Sequence, residues 1–303
     1  IHGGGHGEMT GRMLVAIEAV LLRHRPNLVV VYGDTNSTLA GALAAAKLHV
    51  PVCHVEAGLR SFNRRMPEEV NRVLTDHLSE VLCAPTVQAV ANLEREGIGG
   101  DRVVNVGDVM FDVALAQGAR ADERMTEVLD ALTLEPSGYV LATVHRAENT
   151  DDAQRLGHIS DALVEVAKRM PVLWPLHPRT RARLEEIGRD VRQLPGVLVV
   201  EPLGYLDMVV LERHAALIVT DSGGVQKEAF FHQVPCVTLR EETEWVESVL
   251  LGWNRLAPPT SAPAIRDVIL AAIGSKGTTG TPYGEGRAAW RIVETMQRAG
   301  IAE

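Results

Sequence analysis

Leu217-Ile218-Val219-Thr220-Asp221-Ser222-Gly223-Gly224-Val225-Gln226-Lys227-Glu228 is the stretch on which the fold turns. An apolar run stops at Asp221-Ser222, two glycines follow, and a helix-compatible segment begins, so the stretch reads as strand, tight turn and helix. The glycines let a ligand approach the backbone, and the N–H groups opening the new helix form a nest suited to phosphate oxygens. Glu228 lies six residues beyond Ser222, within that helix, where it could reach a pair of ribose hydroxyls. A plain turn with Asp221 and Ser222 as helix caps is the alternative. The G-x-x-x-x-G-K-[ST] spacing of a P-loop is absent, and no G-x-G-x-x-G follows a strand, so NAD is not supported.

The same alternation of short apolar runs and longer amphipathic stretches extends outward in both directions, the pattern of βαβ units around a mostly parallel sheet. Upstream, the runs at 28–32, 50–55, 81–84 and 103–106 read as strands, with a helix over 38–48. Downstream, the strands are expected at 139–143, 172–174, 197–200, 217–220 and 236–239, with helices over 155–168 and 224–231 among those between them. The sequence between Gly107 and Pro136 turns polar and helical, which places the connection there. The expected fold is therefore α/β, with two Rossmann-like βαβ domains facing across a cleft and ligand at the carboxyl ends of their strands. Residues 1–115 form the first, closed by a C-terminal helix within 284–303, and residues 116–283 form the second. Residues 1–7 look loop-like, and the helix over 9–23 feeds an inner strand with no sheet-opening strand ahead of it. The natural protein is expected to start earlier.

Composition narrows the partners. The 303 residues are 46% hydrophobic and 23% charged, which is ample for a sizeable core. A net charge of −9, with arginines scattered among glutamates, offers no basic face to nucleic acid. Cys53, Cys83 and Cys236 are widely separated and lie in apolar runs, as buried thiols of a reducing compartment would. No apolar stretch approaches the roughly 20 residues of a membrane span, and the start has no signal-peptide pattern. A cytoplasmic protein is expected. No Cys/His cluster has metal-ligand spacing.

Several further segments end strands with groups that carry chemistry. Gly33-Asp34-Thr35-Asn36-Ser37 combines a glycine with the start of a helix, although every one of its polar residues is also a good cap. His54-Val55-Glu56-Ala57-Gly58 sets Glu56 after an apolar run, where a carboxylate is hard to place in a core and belongs more naturally in a site. Pro67-Glu68-Glu69-Val70-Asn71-Arg72 is an ordinary acidic helix start and a candidate acid–base segment in equal measure. His145-Arg146 suits a diphosphate or a leaving oxygen. His177-Pro178-Arg179 repeats that arrangement one strand later, where a structural histidine is the plainer reading.

Taken together, these segments resemble the non-hydrolysing UDP-N-acetylglucosamine 2-epimerases over nearly the whole chain. The resemblance is carried by Gly33-Asp34-Thr35, by His54-Val55-Glu56-Ala57-Gly58-Leu59-Arg60 and Pro67-Glu68-Glu69-Val70-Asn71-Arg72, by Thr143-Val144-His145-Arg146 with Glu148-Asn149, and by 221–228. It implies a glycosyltransferase-B-like fold with UDP held mainly by the second domain. It further implies Asp34, Glu56, Glu68 and His145 as catalytic residues, and Ser222, Gly223, Gly224 and Glu228 as nucleotide ligands. Arg146 and His177 match positions that touch substrate or a second, activating UDP-sugar. No cofactor or metal is implied, and a homodimer is.

The chain departs from the family pattern in three places. The opening strand and Gly-Thr-Arg-Pro-Glu loop of the family do not occur in these 303 residues, so the first domain is expected to lack its N-terminal part here. Trp245 stands where some members have an arginine, a loss Arg240 could offset, and Met208 stands where some have an aromatic ring against the base. The reaction implied is C2 epimerisation between UDP-N-acetylglucosamine and UDP-N-acetylmannosamine, by anti-elimination of UDP and its re-addition. Competing readings are a 2,3-diacetamido substrate, a hydrolysing 2-epimerase, a UDP-sugar glycosyltransferase and a catalytically dead UDP-sugar sensor. Polysaccharide, cell-wall or antibiotic sugar synthesis would each accommodate the activity.

Overall fold

The computed structural model describes residues 1 and 3–299; the last residues of the expected closing segment, 300–303, lie outside the described residues. The chain forms two compact units, one of residues 1–113 with 281–303 and one of residues 114–280.

The first unit opens with helix α1 (His6–His24), which begins earlier than its sequence suggests because Gly5 supplies the extended N-cap. Four parallel strands follow in sequential order: β1 (Val29–Tyr32), β2 (Val52–Val55), β3 (Val81–Ala84) and β4 (Val103–Asn105). Strands β2 and β3 are buried along their whole length, so they read as unbroken apolar runs. Helix α2 (Asn36–Lys47) starts with a reciprocal capping box between Thr35 and Thr38, and its alanines let it lie close to β1. Helix α3 (Pro67–Leu78) has proline at its first position and Glu68 and Glu69 in its first turn, matching the missing N–H and the helix dipole. Helix α4 (Val87–Arg95) is capped by Thr86, which accepts the Ala89 N–H. Gly58 links β2 to α4: at φ +83° an added Cβ would stand 2.4 Å from the Ala89 carbonyl oxygen, and only glycine fits.

The chain enters the second unit within helix α5 (Val109–Leu132). Six parallel strands follow, β5 (Val140–Thr143), β6 (Val172–Pro175), β7 (Val197–Val200), β8 (Leu217–Thr220), β9 (Cys236–Thr238) and β10 (Asn254–Leu256). The connecting helices are α6 (Ala147–Thr150), α7 (Ala153–Ala167), α8 (Pro178–Glu186), α9 (Tyr205–His214), α10 (Gly223–Phe231), α11 (Val246–Leu250) and α12 (Ala262–Ala272). The order is β10-β9-β8-β5-β6-β7. The chain therefore builds outward from β5 in one direction and then returns to build outward from β8 in the other. The reversal falls between β5 and β8, where sheets of this kind open a crevice at their carboxyl ends. The core on either side of the sheet is aliphatic, with Trp174 and Tyr139 fully buried. Helix α13 (Ala288–Arg298) returns to the first unit and buries Ile292 against Cys53, Val55 and Cys83.

The expected strands are present with ends shifted by a residue or two, while β10 and α12 have no counterpart among the expected elements. Asn254-Arg255-Leu256 contains a single apolar residue and lacks a strand signal; it forms because β9 offers an open edge in register. Among the described residues no helix is long and apolar enough to cross a membrane.

Candidate active site

In the second unit the carboxyl ends of β5, β8 and β9 lie level, with Thr143 paired to Thr220 and Thr220 to Thr238. The next residue after β8, Asp221, is fully buried. Its carboxylate accepts the backbone N–H of His145 (3.1 and 3.2 Å to its two oxygens), the N–H of Arg146 (3.0 Å) and the Asn149 side-chain amide (3.1 Å). One buried carboxylate thus folds the loop after β5 onto the end of β8. His145 is left with its imidazole half-exposed, Nδ1 3.5 Å from Asp221 Oδ1.

Ser222 N donates to Thr220 Oγ1 (2.9 Å), and Ser222 Oγ caps α10 by accepting the Val225 N–H (3.4 Å). The first-turn N–H groups of α10, those of Gly223 and Gly224 among them, have no helical acceptor and point out of the turn. A Cβ on Gly223 would meet Glu244 Oε1 at 3.0 Å, Trp245 Nε1 at 3.4 Å and Arg146 Nη2 at 3.7 Å. The glycine, the Arg146 guanidinium and the 244–245 turn therefore converge on one small space, in which the helix start and the guanidinium favour an anion and the Glu244 carboxylate, paired with Arg240, borders it. Arg240 does not cover for the arginine missing at 245: it is buried and paired with Glu244 at 3.0 Å. Trp245 instead carries the Lys227 ammonium over its ring at 4.0 Å.

Beside this space lies a cavity of about 210 Å³ lined by Thr143, His145, His177, Leu203, Met208 and Val225 among others. Its wall carries the flexible thioether of Met208 beside Leu203 and Val225. His177 reaches the same cavity, but its Nδ1 accepts the Arg179 N–H (3.2 Å) and caps α8. The residue is a helix cap first, with only its other ring nitrogen left for a ligand.

Glu228 is nearly buried on α10, and that burial raises its carboxyl above the usual range while the Lys227 ammonium opposes the rise. Beneath it Glu212 is buried still more completely, and burial, with the Glu228 charge added, pushes its carboxyl well up. Glu212 Oε2 and His232 Nε2 stand 3.9 Å apart, neither with a hydrogen-bond partner, and burial lowers His232 to about 4. Because the folded pKa of Glu212 exceeds its unfolded value, its contribution to stability is complete below the unfolded pKa and is lost as pH rises through the folded one. Glu212→Gln is accordingly expected to raise Tm at pH 8 and to leave it nearly unchanged at pH 4, as read by thermal denaturation. An equal effect at both pH values would contradict a protonated Glu212.

In the first unit, Asp34 and Glu56 flank Gly33, with Glu56 Oε1 3.9 Å from the position of a Gly33 Cβ. Glu56 adopts φ +73°, a left-handed backbone that a non-glycine residue keeps only when its surroundings impose it. Here the N–H groups of Glu56 and Ala57 both donate to the Cys83 carbonyl (3.1 Å each). Asp34 is held from α3: Arg72 donates to its Oδ2 (2.5 Å) and Asn71 Nδ2 to its carbonyl (2.9 Å). Glu68 precedes these by four and three residues and so shares their helix face. Neighbouring Glu69 is buried, accepting Ser61 N and Oγ (2.9 Å each), Phe62 N (3.0 Å) and the same Arg72 guanidinium that holds Asp34 (2.8 Å).

Asp34 and Glu56 are thus brought to one end of the first sheet, with Glu68 in the first turn of α3, the helix that holds Asp34, while His145, Arg146, Ser222, Gly223, Gly224, Glu228 and His177 belong to the second unit. Asn71 and Arg72 carry no role that the sequence alone assigns, and Asp221, which reads there as a cap, instead holds the 145–149 loop. The helical spacing from Glu68 was the available signal for the first two.

A family model described as UDP-N-acetylglucosamine 2-epimerase matches residues 1–297. The chain is 52% identical to the UDP-2,3-diacetamido-2,3-dideoxy-D-glucuronate 2-epimerase of Pseudomonas aeruginosa, over 98% of this chain and 82% of that protein. It is 43% identical to the UDP-N-acetylglucosamine 2-epimerase of Methanocaldococcus jannaschii, with the same coverage. A crystal structure of a UDP-GlcNAc 2-epimerase from that archaeon, in complex with UDP-GlcNAc and UDP, superposes with a TM-score of 0.92 at 42% identity, covering 98% of this chain and 82% of that one. The enzyme from Neisseria meningitidis bound to UDP-GlcNAc gives 0.89 at 30% identity, over 97% and 82%.

Proposed function

Since the chain belongs to the UDP-N-acetylglucosamine 2-epimerase family, we propose that it inverts C2 of a UDP-2-acetamido sugar by eliminating UDP and adding it back, with UDP-N-acetylglucosamine as substrate. The observation that carries the reading is the grouping of Asp34 and Glu56 around Gly33, with Glu68 on the helix face whose Asn71 and Arg72 grip Asp34.

The C2 hydrogen of such a sugar is not adjacent to a carbonyl, so direct removal is prohibitive. Coupling its loss to breakage of the C1–O bond to UDP gives a glycal, with the C–H electron pair becoming the C1–C2 double bond. One carboxylate of Asp34, Glu56 and Glu68 takes the proton and another returns one to the opposite face. UDP then re-adds at C1. The α10 nest with Arg146 and His145 meets the charge growing on the departing diphosphate, a role that commonly supplies the largest share of catalysis. Glu228 takes the ribose, and the aliphatic cavity at Met208 takes the base. A homodimer and a second UDP-sugar as activator belong to the same proposal.

A second substrate has specific support. The Pseudomonas relative acts, by its name, on a 2,3-diacetamido glucuronate. Arg64 and Arg65, exposed shortly before Glu68 and in no ion pair among the described residues, would suit a sugar carboxylate. Proton NMR in deuterated water, run in parallel on UDP-N-acetylglucosamine and the diacetamido uronate, tests both. C2-deuterated epimer from either sugar is the expected result and names the substrate. Free sugar with UDP would mean the hydrolysing reaction, and unchanged C2 in both sugars would overturn the proposal.

A further inference from the structure

His54 lies in the middle of β2 and is fully buried, two residues before Glu56. Its ring is hydrogen-bonded at both nitrogens. Nε2 lies 2.8 Å from the Gly33 carbonyl oxygen, and Nδ1 lies 2.7 Å from Asp76 Oδ1. A carbonyl only accepts, so Nε2 carries a hydrogen. The second oxygen of Asp76 accepts the Gly58 N–H (3.1 Å) and an Arg60 guanidinium N–H (2.7 Å), the surroundings of an ionised carboxylate. An ionised Asp76 also only accepts, so Nδ1 carries a hydrogen too. A neutral imidazole has one N–H and cannot serve both partners.

We propose that His54 is held as an imidazolium, a buried positive charge that fixes the Gly33-Asp34 turn and keeps the neighbouring Glu56 carboxylate ionised. The charge is compensated in alternation: His54 and Arg60 against Asp76 and Glu96, with Arg60 donating to Glu96 at 2.7 Å through two nitrogens. Such a chain makes a buried charge tolerable, whereas a lone one would neutralise. The charged groups that act on the ring are Asp76 on α3 and Glu56 at the end of β2; Cys53, the preceding residue, points to the other face of the strand and contacts Cys83 on β3. Behind Asp76 stand Arg60 and Glu96, the latter 3.6 Å from His77. Burial works against the charged ring, yet the Asp76 hydrogen bond and charge, the Gly33 carbonyl and the Glu56 charge together hold it above its ordinary range. Asp76 is held low in turn: burial opposes its charge, and His54 and Arg60 outweigh burial. His54 acts through its neighbours and is a positioning residue.

The assignment of Glu56 as an acid–base group rests on the proposed function, whereas the protonation state of the ring does not. The first measurement is therefore ¹⁵N NMR of the wild-type imidazoles, with His54 assigned by through-bond correlation to its backbone. Both ring nitrogens are expected to carry protons at pH 8, well above the ordinary histidine range. A nitrogen without a proton at that pH would overturn the proposal. The second is the pH profile of His54→Gln, which keeps one donor for Gly33 and loses the charge. The acid limb of kcat is expected to move up by about one pH unit, as the loss of a nearby opposite charge demands, with KM unchanged. An unmoved limb would remove the link to Glu56. A wild-type protein that epimerises neither sugar would defeat the functional reading and leave the ring assignment standing on the NMR result.

Discussion

Glu56→Gln is expected to lower kcat for C2 epimerisation by about a hundredfold or more, the contribution of a positioned general acid or base. The amide has the shape of the carboxylate and cannot take a proton, so the substitution removes chemistry and little else. Glu56 sits in a left-handed conformation that ordinary residues avoid at a cost of about 1–3 kcal/mol. The strain is offset by two backbone hydrogen bonds to Cys83 and by the fully buried β2 strand behind it. Strain of this kind at a strand end aims a side chain, and the one it aims here is a carboxylate beside Asp34. UDP affinity is expected to stay within about threefold, because an interaction used only in the transition state leaves ground-state binding alone. A fall in kcat of less than about tenfold would remove Glu56 from the acid–base pair. Asp34→Asn and Glu68→Gln, measured alongside, separate the residue that abstracts the proton from the one that returns it.

Much of this was legible in the sequence because the fold advertises itself through local pattern. Strands buried on both faces give unbroken apolar runs, and a helix that follows at once needs a cap, so the strand Leu217–Thr220 and the Ser222-capped start of α10 could be read directly. Long-range pairing could not. Nothing local to Asp221 says that its carboxylate gathers two backbone N–H groups from a loop more than seventy residues earlier. Nor does Glu69, chemically identical to Glu68 and adjacent to it, announce that it is the buried one of the two, accepting from Ser61 and Arg72. The helix period separates the two only once a partner for one face is known. His177 combines two readings that the sequence leaves side by side: its Nδ1 caps α8, and its ring lines the cavity.

The largest structural effect is expected from Asp221→Ala, which leaves the N–H groups of His145 and Arg146 and the Asn149 amide without their buried acceptor. Each donor left unsatisfied costs about 1–3 kcal/mol, so a loss on the order of 3–5 kcal/mol is expected, lowering Tm by about 10 °C for a unit of this size. The functional loss should exceed the structural one. The same three bonds hold the 145–149 loop against the end of β8, and Arg146 reaches the Gly223 space only from that loop. UDP affinity in calorimetric titration is therefore expected to fall by more than about tenfold at temperatures where the variant is still folded, the loss of one charge-assisted contact or more. Asp221→Asn retains one carbonyl oxygen and should recover part of both losses. If Asp221→Ala binds UDP as the wild type does, the loop does not depend on Asp221, and the anion site would have to be carried by the α10 nest without Arg146.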